Sequence, residues 1–139
     1  MAARQVHFTQ NGFKFPGFKS PIMCNATIHN NTVYMAGNIG MNPRNMKLAD
    51  GNIGDRLKQA IDNMRVVLEE VGSGLEHILM MKIFITSMDD YDIMNEAYMN
   101  VMPEPRPPRT CVAVKEIPFG TDIEIECIAA LGDARRSKL

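Results

Sequence analysis

The chain is 139 residues long, enough for one domain with its own core. Fifteen Lys and Arg against sixteen Asp and Glu leave a net charge of −1, which argues against a nucleic-acid binder. No apolar run approaches the length of a membrane span. Residues 1–17 read as an N-terminal arm, polar with Phe8, Phe13 and Phe15 interspersed and without an apolar signal core. One domain is expected over residues 18–131 and a flexible tail over 132–139. No Asp or Glu precedes Asp50, whereas Arg4, Lys14, Lys19, Arg44 and Lys47 do, a pattern read as a solvated basic face.

Asn25 to Ile28 and Val33 to Ile39 read as a hairpin around Asn30-Asn31, since asparagine tolerates positive φ. Asn42 to Gly54 is a loop marked by Pro43, Gly51 and Gly54. The spacing predicts a helix over Asp55 to Val71. Leu57, Ala60, Ile61, Met64, Leu68 and Val71 recur at three- and four-residue steps, and Gly72-Ser73-Gly74 ends the pattern. Ile78 to Ser87 is a mostly apolar strand, expected to be covered on both faces. Asp89 or Asp90 can cap a second helix that runs to about Val101, with Tyr91, Met94, Tyr98 and Val101 inward. Pro103, Pro105, Pro107 and Pro108 break any helix, so Glu104 to Pro108 is a stiff connector into a strand that starts at Arg109. A Gly120-Thr121 turn then leads to a last strand from Asp122 to Ala130. The order β-β-α-β-α-β-β predicts an α+β domain, a mixed β-sheet with two helices on one face.

Cys24, Cys111 and Cys127 are odd in number and scattered, which argues for reduced thiols in an intracellular compartment. His7, His29 and His77 show no ligand spacing, so no metal site is expected. The twelve methionines are read as core filler, since Met35, Met64 and Met94 fall at core-like positions.

The chemistry points to the end of the chain. Arg109 at a strand mouth can fork onto a small carboxylate, or can pair with Glu124 or Glu126 at the sheet end. Composition alone favours the ion pair. Alternation puts Glu124 and Glu126 on one face, opposite Ile123 and Ile125, and Glu124 can hold a water near whatever the arginine holds. Cys111 has no neighbouring histidine to make a thiolate and reads as a pocket-lining residue. Gly37 permits close approach of a ligand or marks a bulge. Asn95 lies either at a pocket rim or on an exposed helix face.

Several segments, in order from about Phe18 to Leu131, resemble the Rid (YjgF) family of enamine/imine deaminases. They are Met35-Ala36-Gly37-Asn38-Ile39, Phe84-Ile85-Thr86-Ser87-Met88-Asp89-Asp90-Tyr91, Met94-Asn95-Glu96-Ala97-Tyr98, Arg109-Thr110-Cys111 and Ile123-Glu124-Ile125-Glu126. The resemblance implies a chorismate-mutase-like fold, assembled as a trimer with a site at each subunit interface. It implies that Arg109 binds the carboxylate of an α-imino acid and that Glu124 orients water. The Cys111 carbonyl would contact the water or the leaving ammonia, and Asn95 would stand near the rim. The implied reaction is hydrolysis of a reactive enamine/imine to a 2-keto acid and ammonia, with no metal or organic cofactor. The alternatives are a non-catalytic trimeric module that binds small carboxylates, and an accessory protein of a biosynthetic pathway. Expected partners are the imino acid and further copies of the chain, with neither nucleic acid nor membrane.

Two positions depart from the family pattern. Ile22 stands where the family often carries a tyrosine, and Ala36 where it carries a serine. Both changes make the pocket more apolar and suggest a bulkier, apolar imino acid. The closing Ser137-Lys138-Leu139 reads as a peroxisomal address, with an import receptor as partner, in a eukaryotic host; otherwise the chain is expected in the cytoplasm.

Overall fold

Asn30 and Asn31 take positive φ, 48° and 64°, and close a hairpin between β2 (Ala26–His29) and β3 (Thr32–Met35). The computed structural model describes residues 3–14 and 22–133. Within them the N-terminal arm is more ordered than its composition predicts. Its residues Gln5–His7 form β1, antiparallel on β2. Phe13 is buried in a small satellite core with Ile39, Met41 and Ile117. The second hairpin strand is also shorter than expected. It breaks at Ala36-Gly37, and β4 (Asn38–Ile39) resumes the pairing further along the same partner strand, β7 (Ile123–Ala130).

Asn52 starts α1 (Ile53–Glu70). Its side chain accepts from the Gly54 N–H at 2.8 Å while Asp55 accepts from the Asn52 N–H at 3.0 Å, a reciprocal cap. The predicted stripe faces inward, with Leu57, Ala60, Met64 and Leu68 fully shielded from water. Each such aliphatic side chain contributes about 1.5–3 kcal/mol on burial. The second helix, α2 (Tyr91–Val101), is entered through a short 3-10 turn. The Ser87 hydroxyl accepts from the Asp89 N–H there, while Asp90 makes no side-chain cap, so the expected aspartate cap is replaced by serine.

The strands make one mixed sheet in the order β1-β2-β3-β7-β5-β6, with β5 (Ile78–Ile85) parallel to β6 (Arg109–Ala113) and the other pairs antiparallel. Alternation sorts β7 as read: Ile123, Ile125, Cys127 and Ala129 are buried beneath the helices, and Glu124 and Glu126 point to the other face. Met35, Met64 and Met94 all lie in the main core. One expectation about β5 does not hold within the chain. Met81, Ile83 and Ile85 are covered by the helices, but Leu79 and Lys82 are exposed on the open face.

Candidate functional site

Arg109 is the first residue of β6, an edge strand, and is paired with Met81 of β5. Paired residues share a face, so the Arg109 side chain leaves the sheet on the helix side. There it meets one stripe of α2. Its guanidinium carbon stands 4.6 Å from the Tyr98 ring centre and 5.9 Å from that of Tyr91. One terminal nitrogen donates to Asn95 Oδ1, and the other lies 3.9 Å from Met94 Sδ. Positions 91, 94, 95 and 98 follow the helical three-and-four spacing, so a single helix face builds the whole cradle. Every member of it is neutral. Among the described residues no carboxylate pairs with Arg109, and Glu126 pairs instead with Lys82 at 3.6 Å.

The ion pair with Glu124 or Glu126 that composition favours is therefore not formed, and topology explains why. β5 lies between β6 and β7, and Glu124, paired with Phe84, is on the opposite face from Arg109. Glu124 is partly buried; burial, and then the charge of Glu126, hold its pKa above the ordinary carboxylate range. Its carboxylate occupies the space beside Gly37, where an added Cβ would collide with it. Of the two readings of Gly37, the structure shows an interruption of the strand. Gly37 sits at the break between β3 and β4, and it leaves room for a functional group.

Ala36, Gly37 and Ile22 line a cavity of 340 Å³ together with Phe8 and Met23. Ile22 is 74% exposed at its edge. The predicted residues thus fall into two groups on one chain. Arg109, Asn95 and Cys111 lie on the helix side of β6, while Glu124, Gly37 and Ile22 lie away from them. Cys111 is two residues along β6 and packs against the main core. Burial pushes its thiol pKa up and the Arg109 charge only partly offsets this, so it is a thiol rather than a nucleophilic thiolate. Among the described residues no cluster of His, Cys, Asp and Glu could hold a metal ion.

Sequence reasoning placed Tyr91, Met94 and Tyr98 in the core and missed that they hold Arg109. Tyr98 is almost fully buried, and its hydroxyl has no hydrogen-bond partner among the described residues. Only the packing of α2 beside β6 reveals the role; the helical spacing is the same for core and cradle.

A family model described as Endoribonuclease L-PSP matches residues 23–131. The chain belongs to this family, the Rid (YjgF) family. It is 43% identical over 103 residues to "Protein mmf1, mitochondrial" of Schizosaccharomyces pombe, a match that covers 72% of this chain and 62% of that protein, less than two thirds of its length. It is 36% identical over 101 residues to a 2-iminobutanoate/2-iminopropanoate deaminase of Dermatophagoides farinae, covering 73% and 79%. The crystal structure of RidA from an Antarctic Psychrobacter superposes with a TM-score of 0.83 at 28% identity, over 91% of this chain and 99% of that one. The Rid assignment bears out the α+β fold class, a mixed sheet with two helices. It also corrects one expectation: the peroxisomal reading of Ser137-Lys138-Leu139, which lie outside the described residues, gives way before a relative named as mitochondrial.

Proposed function

We propose that this Rid chain hydrolyses reactive enamine/imine intermediates of α-amino acids to the 2-keto acid and ammonia. One observation carries the proposal. Arg109 is a partly buried cation whose partners are two rings, an amide and a sulfur, so its fork retains donors for an anion. A fork-to-carboxylate bond there is worth about 1.5–3 kcal/mol. With the carboxylate held, a water placed by Glu124 adds to the imine carbon. The raised pKa of Glu124 brings it closer to the pH at which it accepts the water's proton. Addition to the protonated imine gives a neutral carbinolamine; its nitrogen takes that proton back from Glu124, the C–N bond breaks as the hydroxyl proton passes to Glu124, and the 2-keto acid and ammonia leave. The Cys111 carbonyl, on the same strand as Arg109, is proposed as a contact for the ammonia.

Arg109 and Glu124 lie on opposite faces of one sheet, so the complete site needs the two groups from different copies. A closed trimer is the proposed arrangement, with the open sheet face and its exposed Tyr34, Leu79 and Val112 buried between subunits. A chain that scatters light as a monomer at micromolar concentration would remove this site. The word endoribonuclease belongs to the family model's description. A net charge of −1 gives this chain no surplus of cations for phosphates. A mitochondrial location is proposed from the relative's name alone and is read by imaging the tagged chain in cells.

The deciding experiment generates imines in situ from amino acids with an oxidase and follows their decay. The wild-type chain is expected to speed decay well beyond the spontaneous rate, and Arg109→Ala to lose most of the acceleration. Decay unchanged by the wild-type protein, with tight binding of 2-keto acids, points instead to a non-catalytic carboxylate-binding module.

A further inference from the structure

Beyond the pairing of β1 with β2 and the burial of Phe13, the N-terminal arm converges on one carboxylate. Glu70, the last residue of α1, accepts from the Asn11 N–H at 3.0 Å, the Gln10 N–H at 3.2 Å, the Thr9 hydroxyl at 2.9 Å and His7 Nε2 at 2.7 Å. A carboxylate at a helix C-terminus faces the negative end of the helix dipole, so helix stability does not account for it. The arm does. Burial pushes the Glu70 pKa up, and these donors overcome that and hold the carboxyl below its ordinary range. Thr9 is itself buried; its N–H donates to Asn25 Oδ1 at 2.9 Å and its hydroxyl accepts from the Gly12 N–H at 2.8 Å.

Inside this polar knot sits an apolar residue that the knot does not bury. Phe8, between His7 and Thr9, is 48% exposed. It lines the cavity whose other walls include Ala36, Gly37 and Ile22. Ile22 and Met23, which line the same cavity, are exposed too, so Phe8 belongs to an apolar patch of the kind that marks a binding groove. The cavity abuts Gly37, and Gly37 abuts the Glu124 carboxylate.

We infer that Glu70 is a positioning residue that clamps residues 7–11, so that Phe8 forms one wall of a subsite for the apolar side chain of the substrate. The inference rests on the deaminase reading for the substrate's class, a 2-imino acid with a branched or aromatic side chain. The geometry predicts a preference for such side chains over small ones.

Binding and turnover of the full chain test the two readings separately. Calorimetry with 2-oxobutanoate and 4-methyl-2-oxopentanoate reads the subsite without chemistry, and oxidase-generated imines of the corresponding amino acids read the reaction. The branched compound should be favoured about tenfold, as two further buried carbons predict. Glu70→Gln should shrink that preference at least about threefold through Kd and KM of the branched compound, with little change in kcat. Phe8→Ala should shrink it similarly without touching the knot, and covers the case in which Glu70→Gln folds poorly. Equal affinity for the two acids in the wild type overturns the inference, as does a Glu70→Gln loss that falls on kcat or on both compounds alike. A side-chain preference in binding without any imine hydrolysis would sink the deaminase reading and leave the subsite standing. Hydrolysis without preference would do the reverse.

Discussion

Arg56 and Arg109 are both partly buried, and they are held in opposite ways. Arg56 forks onto Asp122 through Nε at 2.6 Å and Nη2 at 2.7 Å, and its remaining terminal nitrogen reaches the carbonyls of Ala49 and Gly51. The hydrogen bond to Asp122 holds its pKa above the usual arginine value despite burial. That arginine joins α1 to the start of β7, and four of its five N–H donors are already committed, both edges of its fork among them. Arg109 has no acid within the described chain, only rings, an amide and a sulfur. A cation kept half out of water without a counter-ion is expensive as structure and sensible as a binding group. The contrast separates an arginine that serves folding from one proposed to serve a substrate.

The sharpest way to break that comparison is to remove each arginine in turn. Arg109→Ala should lower kcat/KM by about tenfold to a hundredfold, the worth of a lost fork, with the denaturation midpoint close to wild type. Arg109→Lys should also be poor, because an ammonium cannot fork. Arg56→Ala should do the converse. It leaves Asp122 partly buried without its partner and costs about 1–3 kcal/mol of stability, while turnover per folded molecule stays near normal. Two variants that lose activity and stability in equal proportion would erase the distinction.

Gly37→Ala comes next in size. The new methyl must displace the Glu124 carboxylate, since its nearest neighbours are all atoms of the Glu124 side chain. The expected result is a fall of about tenfold in kcat with KM little changed, the mark of a misplaced general base rather than a lost binding group. A rise in KM alone would argue that Gly37 serves ligand approach and not Glu124.

How much of this was legible in the sequence depended on whether the signal was local. The stripe from Leu57 to Leu68 and the alternation from Ile123 to Ala129 are read within one element, and both appeared as predicted. β1 escaped because three residues, Gln5–His7, carry no period, and its stability comes from pairing with β2 and from Glu70 sixty-three residues away. For the same reason Arg109 could be named but its partners could not. The insertion of β5 between β6 and β7, with Arg109 in register with Met81 and Glu124 with Phe84, is a fact of strand pairing, and it puts Arg109 and Glu124 on opposite faces although the spacing alone invited a shared site. The reading of Cys111 as a pocket-lining thiol used only its immediate neighbours, and its burial against the core raises its pKa, in keeping with that reading.

Tyr98 refines the comparison at the level of one ring. Tyr98→Leu removes the face under the guanidinium and should raise KM severalfold, since such a contact is worth about 0.5–2 kcal/mol. Tyr98→Phe keeps the face and deletes a buried hydroxyl that has no partner among the described residues. It should leave KM unchanged and should not lower stability, because removing an unsatisfied polar group relieves its desolvation cost. A Tyr98→Phe variant with the KM of Tyr98→Leu would show that the hydroxyl, and not the ring, is what Arg109 needs.

The smallest effect expected is on pH dependence, and its sign follows from the Glu124 environment. Burial, then Glu126, raise the Glu124 pKa, so the base becomes protonated and activity falls at a higher pH than an ordinary glutamate would allow. The same shift makes the folded state bind that proton more readily than the unfolded chain. Its contribution to stability is therefore present below the unfolded pKa and is lost as pH rises through the folded one. Glu70 behaves oppositely: its pKa is lowered, so the arm's clamp contributes above the unfolded value and is lost as pH falls through the folded value. Glu126→Gln removes the like charge and keeps the burial. The acid limb of the kcat profile should then move to lower pH by a fraction of a unit, because the larger cause remains. A limb that does not move, or that moves upward, would mean that Glu124 is not the group whose protonation stops the reaction.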